Sequence, residues 1–147
     1  MKKQLIWIGA IVAIIVAVLV GGLAGKVVTQ TAVAPTAEDV LPKMVAGVAQ
    51  MAPKMVDADT RVDRASAGPG KRFTYHYTLV NYPAPGQNAS EILGRAKDLE
   101  ALMIKNTCAN AATKPIRALG ITVAYEYSSK DGKRLLEVEV PPEKCPA

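Results

Sequence analysis

The stretch RFTYHYTLVNY, residues 72–82, decides how this chain folds. Phe73, Tyr75, Tyr77 and Leu79 alternate with Thr74, His76 and Thr78, the period of two that gives a strand one apolar and one polar face. Gly68-Pro69-Gly70 lies just before it and supplies the backbone angles of a reversal. The preceding TRVDRASAGPGK, residues 60–71, is therefore expected to pair back on it as a second strand.

Nearer the C-terminus, residues 121–128 and 134–140 alternate in the same way around Asp131-Gly132, a strong hairpin signal. A two-residue turn there sets Tyr127 opposite Leu136, Tyr125 opposite Val138 and Val123 opposite Val140. The apolar faces agree, and a slip of one residue would turn every one of these side chains over. The same register sets Glu126 opposite Glu137 with Glu139 nearby, which reads as charge on the wet face of a sheet rather than an acid/base pair.

Two helices complete the pattern. Thr36 followed by Asp39 resembles an N-cap with an acidic first turn, and Leu41, Met44, Val45, Val48, Met51, Ala52 and Met55 keep helical spacing to about Val56. Pro42 and Pro53 should kink or divide this helix. Pro-Lys-Met-Val occurs at 42–45 and again at 53–56, close to three helical turns apart, and reads as a methionine-lined packing stripe. Residues 88–107 form the second helix, with Asn88 and Glu91 as a capping pair and Ile92, Ala96, Leu99, Leu102 and Met103 on one face. CANAATKPIRALG, residues 108–120, is read as a loop with a short helical turn. The expected fold is α+β: an antiparallel sheet of about four strands with one face beneath two helices.

From Leu5 to Gly25 the chain runs 21 residues without a charge, long enough for a helix to cross a bilayer core. Lys2 and Lys3 favour a cytoplasmic N-terminus. Residues 1–26 are thus a signal anchor or, with cleavage after Ala24, a signal peptide; 27–35 form a linker and 36–147 the folded domain. Gly9, Ala13, Ala17, Gly21 and Gly25 recur every fourth residue, a stripe along which a second copy could pack as a homodimer. The net charge of +5 owes three charges to Lys2, Lys3 and Lys26. The domain is then nearly neutral, which removes the case for a nucleic-acid partner.

The two cysteines, Cys108 and Cys145, are expected to form a disulfide in an exported domain of this size, pinning the tail to the end of the second helix. They lack the CxxC spacing of a redox pair. Two thiols and one histidine are too few for a zinc site, and no cofactor is implied. His76 is the only histidine, so a triad would have to use it. Ser66, Ser90, Ser128 and Ser129 read as turn or cap residues without a nucleophile elbow, and Gly68-Pro69-Gly70-Lys71 lacks the spacing of a phosphate loop. The four strand tyrosines, Tyr75, Tyr77, Tyr125 and Tyr127, are in phase with Phe73 and Val123 and are assigned to the core.

Met55-Val56-Asp57, Thr60-Arg61, Asp63, Tyr75-x-Tyr77-Thr78, the two cysteines and the closing hairpin resemble a group of small bacterial envelope proteins of uncharacterised function. The resemblance covers residues 53–145. It implies a periplasmic setting and an α+β fold, and brings no catalytic residue with it. The expected function is a membrane-tethered, non-catalytic periplasmic module that binds another envelope component, with Asp57, Asp59, Arg61, Asp63 and Arg64 near a sheet edge as contact residues. The alternative is a periplasmic enzyme or enzyme inhibitor acting on an envelope polymer, for which His76 converging with Glu126 or Glu137 in a pocket would speak.

Overall fold

The structure, a computed structural model, describes residues 33–82 and 89–146. Its elements run α1 (Ala37–Met51), β1 (Lys54–Met55), β2 (Thr60–Gly68), β3 (Arg72–Leu79), α2 (Ala89–Ala109), α3 (Lys114–Ala118), β4 (Thr122–Ser129) and β5 (Arg134–Val140). Short 3-10 turns lie at Ala111–Thr113 and Pro142–Lys144. The expectations for residues 5–25, including the stripe from Gly9 to Gly25, and for the Asn88 cap fall outside the described residues. Among the described residues no helix is long and apolar enough to cross a membrane.

The sheet has five strands in the order β1-β2-β3-β4-β5 and is mixed, where four antiparallel strands were expected. The two hairpins are present, but β3 and β4 join them in parallel, Phe73 beside Val123 through Leu79 beside Ser129. The cause is the crossover. A helix of 21 residues spans about 32 Å at 1.5 Å per residue, enough to carry the chain back along the sheet to the end where β3 began. A connection of that kind delivers the next strand parallel to the last.

At the N-terminal end, Thr36 and Asp39 form a reciprocal capping box: the Asp39 amide donates to Thr36 Oγ1 at 3.3 Å and the Thr36 amide to Asp39 Oδ2 at 3.0 Å. Pro42 is accommodated inside the helix with its ring exposed. The helix ends at Met51, earlier than the spacing predicts, and the chain turns through a cis Ala52-Pro53 bond. The second Pro-Lys-Met-Val copy is therefore not helical. Lys54 and Met55 pair with Val62 and Arg61 as a two-residue edge strand, which leaves Met55 45% exposed instead of in a packing stripe.

The closing hairpin holds the expected pairs from Val123–Val140 to Tyr127–Leu136, but its tip differs. Ser129 and Lys133 bond across a three-residue loop in which Gly132 takes φ +77°, and Leu135 is an extra residue between the partners of Ser128 and Tyr127. The longer loop and the bulge offset one another, so the register beyond them is the one a two-residue turn would set.

Both long helices cover one face. Beneath α1, Ala37, Leu41 and Val48 pack with Val62, Ala65, Ile121 and a fully buried Phe73. The tyrosines belong to this face as expected. Tyr75 meets Phe73 edge-on at 4.8 Å and stacks on Tyr125 at 5.7 Å, and Tyr77 stacks on Tyr127 at 5.2 Å. Towards α2, Tyr125 and Thr107 share a 2.7 Å hydrogen bond and the Tyr127 hydroxyl donates to Met103 Sδ. The expected disulfide is present: Cys108 at the end of α2 is bonded to Cys145, with 5.2 Å between their Cα atoms. Lys144 Nζ beside it donates to Glu100 and to the Glu139 carbonyl, holding the tail against both α2 and β5.

Candidate functional site

Two features stand apart from the packing, one at an end of the sheet and one on its open face. The first is a cleft of about 420 Å³ at the carboxyl ends of the parallel pair β3 and β4. Leu79, Tyr82, Tyr127, Leu136 and, from α2, Leu99 give it apolar walls, and Asp57 and Asp59 stand on its rim. Crevices at the carboxyl ends of parallel strands are where open α/β sheets hold ligands, because the chain diverges there and leaves side chains facing unoccupied space.

The rim is shaped by its own hydrogen bonds. Asp57 Oδ1 accepts from the amides of Asp59 at 2.8 Å and Thr60 at 2.7 Å, fixing the turn between β1 and β2. Asp59 Oδ1 accepts from Asn81 Nδ2, and the Val80 amide donates to the Asp59 carbonyl at 2.8 Å, tying that turn to the end of β3. Among the described residues neither carboxylate makes an ion pair, so the cleft offers two uncompensated negative charges above an apolar floor. Burial, helped by the neighbouring rings, pushes the Tyr127 hydroxyl in that floor up to about 12, and Asp57 adds to the effect.

The five polar residues proposed as contacts thus divide. Asp57 and Asp59 come together at the cleft. A bulge between Val62 and Arg64 swings Asp63 onto the open face, where it accepts from Arg61 Nε and from Thr78 Oγ1, each at 2.5 Å. Arg64 lies farther along β2, exposed and directly opposite His76.

The second feature is a polar array on the open face. His76 and Glu126 are neighbours in the parallel register, and His76 Nδ1 lies 2.9 Å from Glu126 Oε1. On the other side of the ring, Nε2 lies 2.7 Å from Ser66 Oγ. A carboxylate only accepts, so Nδ1 carries a proton, and when the ring is neutral Nε2 is left as the acceptor for the Ser66 hydroxyl. Glu126 and Glu137 do face each other as expected, but they do not repel unopposed: Arg134 reaches both, and Arg72 pairs with Glu137 and Glu139. A shallow hollow of about 260 Å³ lies over this array, between Gly68, Thr74, His76 and Glu126.

His76 was expected as an ordinary strand residue and Ser66 as a turn residue; Ser66 instead sits within β2, two positions before its end. One signal could have joined them. Tyr-x-Tyr occurs in both β3 and β4, and aligning the two copies sets His76 beside Glu126, as the parallel pairing does.

No family model matches the chain, and no curated protein matches it. Two solved structures share the fold. One is a Pseudomonas aeruginosa protein, PA3611, provisionally described as secreted: 13% identity, TM-score 0.64, with 75% of this chain and 93% of that one covered. The other is the pilotin EpsS of the Vibrio vulnificus type 2 secretion system: 14% identity, TM-score 0.51, with 76% and 89% covered. At these identities the likeness shows a common α+β architecture.

Proposed function

We propose that this domain is an interaction module of the bacterial cell envelope, carried on a membrane segment at residues 5–25, that works by binding and not by turnover at its cleft. The observation that carries the reading is the cleft itself: apolar walls capped by Asp57 and Asp59, two carboxylates without cationic partners among the described residues. Such a site is complementary to a segment of a partner protein that presents a large apolar side chain next to a lysine or arginine. The apolar group contributes affinity on leaving water, and the charges set orientation and encounter rate. Asp57 Oδ1 and Asp59 Oδ1 are engaged in hydrogen bonds that shape the rim, and among the described residues no histidine, cysteine or serine lines the cleft, which favours binding over chemistry there.

Three observations support an envelope setting: the disulfide, which is stable in an oxidising compartment, the apolar N-terminal run, and a shared fold with a secretion-system pilotin and a protein described as secreted. Arg61, Asp63 and Arg64 lie on the other side of the β2 bulge and contribute only if the partner wraps the sheet edge. Charge reversal tests the reading. Asp59→Lys should abolish co-purification of the partner from detergent-solubilised membranes while Glu143→Lys, on the exposed C-terminal turn, leaves it intact; equal recovery from both would contradict it.

A further inference from the structure

We propose that Ser66, His76 and Glu126 form an acyl-transfer site on the open face of the sheet, with Ser66 as nucleophile and short O-acyl esters as substrates. The inference goes beyond the binding function and uses the opposite face of the molecule. Three observations carry it. Ser66 Oγ lies 2.7 Å from His76 Nε2 and His76 Nδ1 2.9 Å from Glu126 Oε1, and because the carboxylate can only accept from Nδ1, the neutral ring presents Nε2 to the Ser66 hydroxyl as the acceptor a general base requires. The imidazole side chain is only 14% exposed and Glu126 25%, while the hollow above them is open to solvent on its outer side. Finally, Arg64 projects from the same face as Ser66, two residues before it, and among the described residues it makes no ion pair.

These groups suffice for a balanced reaction. Ser66 Oγ bonds to the ester carbonyl carbon as its proton passes to His76 Nε2, and the carbonyl electron pair moves onto oxygen, where Arg64 supplies the opposing charge. Collapse breaks the bond to the alcohol oxygen, which leaves with the proton from Nε2. Water repeats the sequence on the acyl-serine, releasing the carboxylic acid and restoring the Ser66 hydroxyl. Glu126 is a positioning residue: it fixes the tautomer and faces the imidazolium formed in each half-reaction. The hollow of about 260 Å³ is lined by His76 and Glu126 with Arg72, Thr74, Arg134 and Glu137, and Ser66 adjoins it through its hydrogen bond to His76, so the open outer side admits an ester borne on a larger molecule.

The test uses the full-length protein in detergent with an alkyl fluorophosphonate, which forms a phosphorus–oxygen bond to an activated serine with loss of fluoride. Peptide mass mapping should place the adduct on Ser66. His76→Asn should slow labelling by at least about a hundredfold, as loss of a general base does, and Glu126→Gln should slow it and change its pH profile. Hydrolysis of 4-nitrophenyl acetate should fall to the solvent rate in Ser66→Ala, a change small enough to leave the fold intact. An unlabelled Ser66 in the wild-type protein, labelling equally fast in His76→Asn, or equal hydrolysis by the wild type and Ser66→Ala would each overturn the proposal.

Discussion

Removing the disulfide should cost this domain a large part of its stability, and the amount can be worked from where the bond lies. Cys108 and Cys145 are 37 residues apart, and the loop they close contains α3, β4 and β5. In the chain-entropy description, closing a loop of that length withdraws roughly 13 cal/mol/K from the unfolded chain, or about 4 kcal/mol at room temperature. Small domains are stable by only about 5–15 kcal/mol. For a folded part of this size each kcal/mol moves the melting temperature by about 4–5 °C, so the Cys108→Ala/Cys145→Ala variant should melt roughly 15–20 °C lower. The assay is thermal unfolding followed by circular dichroism, with the wild type measured with and without reductant. Reduced wild type should match the double variant. A shift below about 3 °C, less than 1 kcal/mol, would refute the reasoning and show that Lys144 and the packing of β5 hold the tail unaided.

Other consequences are as specific. Burial raises the hydroxyls of all four stacked tyrosines, Tyr75 and Tyr127 to about 12 and Tyr77 further still. The unfolded chain therefore loses these protons before the folded one does. Their stabilisation is complete below the ordinary tyrosine value near 10 and falls away as pH rises towards 12, by on the order of 2–3 kcal/mol for each of Tyr75 and Tyr127. The phenolate absorbance of these four rings should thus appear together with unfolding rather than ahead of it, read in a Tyr82→Phe background. Phe73→Ala empties the centre of the core and should cost about 3–5 kcal/mol, read from the urea midpoint. Thr36→Ala removes the capping box and should cost about 1 kcal/mol in the same assay. Gly132→Ala meets no atom within 4 Å but must hold φ near +77°, so it should cost about 1 kcal/mol from backbone strain alone.

Local pattern was legible in the sequence where a side-chain period met a recognisable turn. The alternation through Phe73, Tyr75 and Tyr77 and the pairing of Tyr125 with Val138 are both present, and so is the cap at Thr36. What escaped depended on long-range arrangement. The second Pro-Lys-Met-Val copy keeps helical phase with the first, yet the chain leaves the helix at Ala52 and spends Lys54 and Met55 on an edge strand. Periodicity identifies a strand but not its neighbour, so the parallel joining of β3 to β4 was hidden, and with it the meeting of His76 and Glu126 across 50 residues. The cleft was half visible. Asp57 and Asp59 stood out as polar residues near an edge, but their apolar floor is assembled from Leu79, Leu99 and Leu136, which belong to three different elements.

Site-specific photocrosslinking in intact cells tests the central claim most directly. A photoreactive side chain placed at Asp59 or Leu99, on the cleft, should capture a discrete envelope partner, and one placed at Lys43 or Ala46, on the exposed outer side of α1, should not. Capture from the α1 positions with none from the cleft, or no capture from the cleft at all, would contradict the account.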